Sequence, residues 1–374
     1  MAEVVFLLVV ALRLFIPLGI PKYPLPFILA ALLIDGVDQT IFQTVHVTRV
    51  LDDYQSYDKA LDVYYLTITY ASTLRNWLDP YALGVARVLF YYRLVGSLVF
   101  ELTQERFVLL LFPNTFEYFF IFYEAVRLYW NPSRMGRKQV IAAAATIWVF
   151  VKLPQEYWLH IAELDVTDEF SAHLWALPTF VVLVVVVLLV LLRELPGRLP
   201  SPQWSPSYDV DAHIDRPKSN RVIPRRDMRA VFSVAVLEKV VLLSIVLVIF
   251  SQILEGVRAS SLQIALGVTA IVVLNSIVSL YRVERGSRYG STVAQFAAMA
   301  MTNVLIVAAG VVLRRGTGND AFLQPQDALF FGLLVTLIIT MYDRYRVIGN
   351  LSHDKRRRRR RGRRRRGRLA PLGS

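Results

Sequence analysis

The chain contains no cysteine among its 374 residues. This absence excludes disulfide bonds, thiol nucleophiles, iron–sulfur clusters and cysteine-ligated zinc, and it leaves the redox compartment open. The chain also lacks a nucleotide-binding glycine loop, a zinc-protease motif and a serine-nucleophile elbow. No internal repeat is recognisable either, so the inverted-repeat architecture of many transporters finds no support in the sequence.

Charge is scarce outside one short segment of the chain. Hydrophobic residues make up 55% of the sequence, and the mean hydropathy is +0.45. This composition is typical of a membrane protein that crosses the bilayer several times. The net charge of +13 comes from residues 355–368, which hold 12 of the 42 Lys and Arg, so the other 30 nearly balance the 29 acids.

Long apolar stretches recur along most of the chain. A membrane-spanning helix needs about 20 mostly apolar residues. The stretches of suitable length lie at 4–20, 25–46, 57–76, 81–101, 107–129, 139–163, 171–193, 230–253, 262–281, 289–313 and 327–349. They predict an all-α integral membrane protein of the cell membrane, with about eleven transmembrane helices in a seven-plus-four arrangement.

The positive charges predict the orientation of these helices. Cytoplasmic loops carry an excess of Lys and Arg. The basic tail, the loops near 282–288 and 134–138, and the segment 193–229 then fall on one side, and the acidic loop 165–169 falls on the other. We therefore predict the N-terminus outside and the C-terminus in the cytoplasm, although Arg314 and Arg315 depart from the pattern.

Composition also divides the chain into four parts. Residues 194–229 hold six prolines and scattered charge without apolar periodicity, which is typical of a linker. The predicted parts are a seven-helix bundle with a polar cavity (1–193), a cytoplasmic Pro-rich linker (194–229), an apolar four-helix bundle (230–350) and a disordered Arg-rich cytoplasmic tail (351–374).

Ionisable residues within apolar stretches concentrate in the first half of the chain. A charge in lipid costs at least a few kcal/mol, so such residues usually face a bundle interior or a water-filled cavity. The last four stretches carry almost none, and Asn275 and Asn303 there could hydrogen-bond between helices. The candidates for substrate or ion binding are Asp35, Asp38, Asp58, Asp62, Arg87, Arg93, Glu117, Glu124, Glu156 and His160.

These residues fall on coherent helix faces at 100° per residue. Asp35 and Asp38 share one sector of the second helix, and Asp58 and Asp62 begin a polar stripe along the third. Such faces can enclose a polar cavity. The alternative is a structural network in which the acids pair with Arg87, Arg93 and Lys152 and only lock the bundle.

Two prolines interrupt this half of the chain. Pro113 lies inside the fifth stretch and Pro154 inside the sixth. Proline removes a backbone donor, and the freed carbonyls can line a site or simply accompany a kink. Glu156, His160 and Glu163 share one face after the second proline, but Tyr157 and Trp158 beside them are typical of the bilayer interface. The spacing could hold a divalent metal or relay a proton, but the aromatic neighbours favour an interfacial segment without a metal.

The two aspartate pairs resemble the paired aspartates of the CDP-alcohol phosphotransferase family. In that family the pairs lie on the second and third helices and hold divalent metals for phosphoryl-group chemistry. The resemblance covers fewer than 30 residues, Gly36 follows the first aspartate, and the family's Ala-Arg and later Gly are missing. The chain is therefore not assigned to the family. Metal binding by these aspartates remains a hypothesis that does not depend on the family.

Three functions agree with these sequence features. The sequence does not decide whether the protein is an enzyme or whether it uses a cofactor. The first is a carrier whose intramembrane carboxylates bind a proton, a cation or a polar substrate. The second is a metal-dependent intramembrane transferase acting on a lipid-linked or phosphorylated substrate. The third is a non-catalytic assembly partner.

Besides the lipid bilayer, the expected partners are of two kinds. The tail attracts anionic lipid headgroups, each basic residue contributing about 1 kcal/mol near the surface. Such a plain run of arginine predicts no specific nucleic-acid partner. The last four helices offer a surface for a second copy of the chain or for another protein.

Overall fold

The computed structural model describes residues 2–45, 54–160, 200–213, 234–253, 260–284, 296–305 and 329–346, together with isolated positions between 173 and 193. These residues form helices and connecting turns, and no strand occurs among them. The all-helical fold class is therefore confirmed. Most of the predicted seventh helix, the loop around residue 165 and the tail lie outside the described residues.

Twelve α-helices run without gaps through the described residues, and isolated described positions between 178 and 193 are helical as well. The twelve helices are α1 (Ala2–Phe15), α2 (Pro24–Val45), α3 (Tyr54–Asn76), α4 (Pro80–Thr103), α5 (Phe107–Leu111), α6 (Thr115–Tyr129), α7 (Arg137–Ile147), α8 (Leu153–His160), α9 (Val234–Ile253), α10 (Ser261–Glu284), α11 (Phe296–Leu305) and α12 (residues 329–346). Three helical regions are long and apolar enough to cross a membrane: Pro24–Phe42, Pro80–Thr103 and Val234–Gln252.

Helix α3 lies at the centre of the first half. All of its residues from 59 to 74 are buried, although the helix is the most polar of the long ones. It packs against α1, α2, α4, α6 and α9. A polar helix can take this place because its neighbours, and not lipid, surround its side chains.

Two of the predicted helices are interrupted beside the prolines that they contain. The stretch 107–129 is two helices, α5 and α6, separated at Phe112-Pro113-Asn114. The break falls at Pro113, where the sequence placed an interruption of this span, and the physical reason is the backbone donor that Pro113 lacks. In the next stretch a π-helical turn, Trp148–Lys152, joins α7 to α8 just before Pro154.

The first predicted helix also ends early. Helix α1 stops at Phe15, and a 3₁₀ turn over Ile16–Gly19 contains Pro17. Helix α4 is well delimited: the Asp79 side chain accepts hydrogen bonds from the backbone of Tyr81 and Ala82 at its start. At its end Gln104 adopts φ 58°, the left-handed conformation that terminates a helix.

The second half of the described chain packs directly on the first. Helix α9 contacts α3 and α4, and one apolar core runs through both halves. A polar ladder links α10, α11 and α12: Asn275 Nδ2 donates to Asn303 Oδ1 at 2.6 Å, and Asn303 Nδ2 donates to Thr336 Oγ1 at 2.8 Å. This confirms the expected bond between Asn275 and Asn303. The division into four parts stays a prediction.

Candidate functional site

A buried arginine joins the four aspartates that the sequence singled out. Arg13, in the apolar stretch of α1, donates hydrogen bonds to Asp35 and Asp38 of α2. It also donates to Asp58 at 3.1 Å and to Asp62 at 3.4 Å, both on α3. One guanidinium therefore fixes carboxylates from two other helices around itself. We call the four aspartates with Arg13, Lys59 and Arg93 the aspartate cluster.

Two further cations complete this cluster. Lys59 Nζ lies 2.7 Å from a carboxylate oxygen of Asp58 and 3.6 Å from one of Asp62. A guanidinium nitrogen of Arg93, on α4, lies 3.9 Å from Asp62. With every group ionised, four negative and three positive charges leave a formal excess of one negative charge. Such an excess of negative charge favours the binding of a cation.

The exposure of the aspartates shows where the cluster opens. The side chain of Asp38 is fully buried, whereas those of Asp35 and Asp58 are 25% and 16% exposed. One carboxylate oxygen from each of Asp35, Asp58 and Asp62 lies within 4.8 Å of the others. Hard cations such as Mg²⁺ and Ca²⁺ prefer oxygen ligands of this kind. These three residues could hold a metal ion, but only in competition with Arg13.

A second buried group lies at the break between α5 and α6. We call Asn114, Glu117, Lys152 and Glu156 the glutamate cluster. The Asn114 side-chain amide donates to Glu117, and its backbone N–H donates to Glu156 Oε1 at 3.2 Å. Lys152 Nζ lies 3.6 Å from Glu156. The Pro113 and Pro154 interruptions thus bring together the residues beside them.

The two clusters are electrostatically connected. Glu117 interacts with Lys152 of its own cluster and with Asp62 and Arg93 of the aspartate cluster. Five side-chain atoms on α3, α4 and the start of α6 or the turn before it are buried and have no hydrogen-bond partner within the described part of the chain: Ser72 Oγ, Arg93 Nε, Ser97 Oγ, Asn114 Oδ1 and Thr115 Oγ1. Buried polar atoms are nearly always paired, so these atoms call for water or a polar ligand.

Three predicted site residues do not belong to these clusters. Arg87 donates to the Tyr70 hydroxyl at 3.0 Å and lies 3.3 Å from Glu238 of α9. Glu124 accepts a hydrogen bond from Trp77 Nε1 at 2.8 Å and pairs with Arg127. Both therefore join helices at other places in the fold. The side chain of His160 lies outside the described residues.

The sequence interpretation missed two members of the aspartate cluster, Arg13 and Lys59. A signal for Arg13 was present, because it is a lone charge within an apolar stretch, as the aspartates are. Lys59 carried no such signal, since it lies near the start of a helix where a solvated lysine is common.

An all-helical chain with helices fit to cross a membrane, and with a buried network of opposite charges between them, fits the class of polytopic membrane proteins. Comparison with known proteins does not assign the chain to a family within this class. No protein-family model matches the chain, and neither a curated protein nor a solved structure matches it.

Proposed function

We propose that the protein is a multi-pass carrier of the cell membrane whose aspartate cluster binds a proton or a cation. The observation that carries the proposal is the contact of Arg13 with all four aspartates. The four carboxylates face three cations, Arg13, Lys59 and Arg93, so the ionised cluster keeps one negative charge in excess. Intramembrane acids of this kind are typical of ion pathways.

The cluster suggests how binding and conformational change are linked. A proton or cation that occupies Asp35 or Asp58 weakens the hold of those carboxylates on Arg13. Because Arg13 lies on α1 and the aspartates lie on α2 and α3, the exchange of partners changes the forces between these helices. A ligand shifts a conformational equilibrium only by such a difference in interaction.

The interior beyond the cluster supports a path for a polar species. Buried polar atoms without a hydrogen-bond partner among the described residues occur on Arg93 and Ser97 of α4 and on Thr115 at the start of α6. In a membrane interior such atoms are stable only in a hydrated or ligand-lined space. We therefore place the proposed path beside α4 and α6.

We further propose the eleven-helix topology with the N-terminus outside. Contacts of segment 200–213 support it. Val210 N–H donates to the Lys22 carbonyl at 3.1 Å, Arg75 pairs with Asp211 at 3.2 Å, and Trp204 Nε1 donates to the Arg127 carbonyl at 3.0 Å. In the proposed topology the regions around residues 22, 77 and 130 and the segment 194–229 all belong to the cytoplasmic side.

The proposed partners follow the same orientation. The arginine-rich tail, in the cytoplasm, binds anionic lipid headgroups. The apolar outer faces of the last helices, with exposed Leu262, Leu266 and Ile277 on α10, meet lipid, a second copy of the chain or a protein partner.

One observation favours a second candidate function. The convergence of Asp35, Asp58 and Asp62 within 4.8 Å supports a divalent metal, and hence a metal-dependent transferase acting on a lipid-linked or phosphorylated substrate. Titration with Mn²⁺ or Mg²⁺ tests it. Tight binding that is lost in Asp35→Ala supports the transferase, and no binding of either metal removes it.

Uptake into proteoliposomes tests the carrier. We expect the wild-type protein to admit protons, recorded by an internal pH dye, or Mn²⁺, recorded by quenching of internal calcein. Asp38→Asn and Asp62→Asn each abolish this uptake while the protein stays folded, and Asp211→Asn, in an exposed ion pair, is the matched control. Normal uptake by both cluster variants would refute the proposal.

A further inference from the structure

A small cavity lies away from both clusters, at the end of the bundle where segment 200–213 packs. Its volume is about 130 Å³. A cavity of about 150 Å³ can hold a benzene molecule, so this one has room for a group of a few non-hydrogen atoms. The walls come from the ends of α3 and α6, the turn after α6, and the segment itself. The lining includes Asn76, Tyr123, Arg127, Ser133, Trp204 and His213.

The cavity wall contains two buried nitrogens without hydrogen-bond partners in the described part of the chain. Arg127 is 7% exposed; its Nη2 pairs with Glu124, but its Nη1 has no acceptor. His213 Nε2 likewise has no partner. An arginine nitrogen can only donate, so its partner must bring an acceptor oxygen, as water or an oxyanion does.

From this geometry we propose that the cavity binds a small oxyanion of the phosphate type through Arg127 and His213. Arginine nitrogens make strong, charge-assisted hydrogen bonds to phosphate oxygens. Glu124 neutralises part of the charge of Arg127, and Arg75, itself paired with Asp211, is a second cation nearby. The phosphate group belongs either to a free anion or to a phospholipid headgroup, because the cavity lies at the end of the bundle.

His213 is arranged to respond to such a ligand. Its ring stacks on Trp204, with the ring centroids 4.5 Å apart and the planes inclined by 12°. Burial and the positive charge of Arg127 lower the pKa of His213 below its ordinary value of 6.5. An anion placed between the two side chains offsets the repulsion and accepts a hydrogen bond from the imidazole.

The test uses the full-length protein in nanodiscs of phosphatidylcholine. Binding of ³²P-labelled inorganic phosphate is measured at equilibrium, and phosphatidic acid is added to a second set of nanodiscs as a competitor. His213→Phe keeps the ring stacked on Trp204 but removes Nε2, and Arg127→Gln removes the donor. Arg134→Gln removes an exposed charge near the cavity and is the matched control.

We expect saturable phosphate binding that weakens about tenfold in His213→Phe and in Arg127→Gln but not in Arg134→Gln. Competition by phosphatidic acid identifies the lipid headgroup as the source, and its absence identifies free phosphate. Phosphate held by the arginine-rich tail is common to all variants and cancels. No saturable binding, or equal weakening in Arg134→Gln and His213→Phe, would overturn the proposal. If Arg127→Gln does not fold, His213→Phe decides alone.

Discussion

At the scale of single residues, Arg13 determines how the candidate site is built. An arginine within an apolar helix is stable only where acids and hydrogen-bond acceptors surround it. The aspartates of α2 and α3 supply both, and Arg13 in turn compensates for their burial. The sequence identified the four aspartates because each is a charge within an apolar stretch. It did not predict their common partner, since periodicity within one helix does not reveal which helix lies opposite.

Removal of Arg13 is expected to destabilise the protein strongly. Arg13→Gln removes the cation that all four carboxylates share, although Asp58 and Asp62 keep their contacts with Lys59 and Arg93. Breaking a buried ion pair in this way costs about 3–5 kcal/mol. Thermal unfolding in detergent measures the effect. Arg13→Lys, which keeps the charge but loses the two-nitrogen fork, is expected to lie between the wild type and Arg13→Gln. Equal stability of Arg13→Gln and the wild type would show that the cluster does not depend on this cation.

The lowered pKa of His213 predicts a pH dependence for the docking of segment 200–213. Below pH 6.5 the unfolded or undocked histidine takes up a proton more readily than the docked one, so protonation favours release. Docking is therefore fully present above pH 6.5 and weakens as the pH falls through the lowered pKa. Hydrogen exchange of residues 200–213 between pH 7.5 and 5.5 measures this change.

The control for the pH dependence is His213→Phe. It keeps an aromatic ring against Trp204 but has no titrating group, so protection of the segment should no longer depend on pH in this window. The same pH dependence in His213→Phe would assign it to another group and would contradict the role given to His213.

At the scale of helices, periodicity predicted the polar face of α3, and the prolines predicted the interruptions beside Asn114 and Lys152. The structure adds the contacts between helices, which these patterns do not predict. Helix α3 is buried on every side from residue 59 to residue 74, and Arg87 turns towards α9, away from the aspartates. A polar residue on a helix indicates a polar environment, but packing of distant segments decides which environment it meets.

Close packing at Gly96 is predicted to hold the break between α5 and α6 in place. A Cβ atom at Gly96 would collide with the side chain of Phe112, whose backbone carbonyl accepts a hydrogen bond from Arg93 at 3.1 Å. Gly96→Ala should therefore destabilise the protein by about 1–3 kcal/mol, as overpacking does. The midpoint of thermal unfolding in detergent measures it.

Gly84 on the same helix provides the matched control. A Cβ atom there meets nothing within 4 Å, and the position is exposed. Gly84→Ala should be neutral or more stable by up to about 1 kcal/mol, because alanine favours the helix. A loss at Gly84 as large as that at Gly96 would mean that contact with Phe112 is not the cause.

At the scale of the whole molecule, composition predicted an all-helical protein and most of the helix positions. Among the described residues, three helices are long and apolar enough to cross a membrane, whereas the sequence suggests eleven spans over the whole chain. Several of the other predicted spans are polar or interrupted, and hydropathy measures only how well a helix suits lipid. Helix α3 is surrounded by protein, and α5 to α8 are shortened by breaks, so such helices can cross a membrane without being apolar throughout.

The orientation of the chain can be measured by cysteine labelling without first replacing any cysteine, because the sequence contains none. Single variants Glu105→Cys and Ser201→Cys occupy exposed positions on opposite sides in the proposed topology. A membrane-impermeant maleimide added to intact cells should label Glu105→Cys, and Ser201→Cys only after permeabilisation. The reverse labelling would invert the topology, and labelling of both in intact cells would remove it.

We propose above that the aspartate cluster binds a proton or a cation within the membrane. Binding there moves charge across part of the bilayer, so it produces a transient current even before transport is complete. The decisive measurement is this current in protein adsorbed to a solid-supported membrane after a jump in proton or Mn²⁺ concentration. We expect a current with at least one of these ions in the wild type and in Asp211→Asn, and none in Asp62→Asn. No current in the wild type with either ion, or an undiminished current in Asp62→Asn, would contradict it.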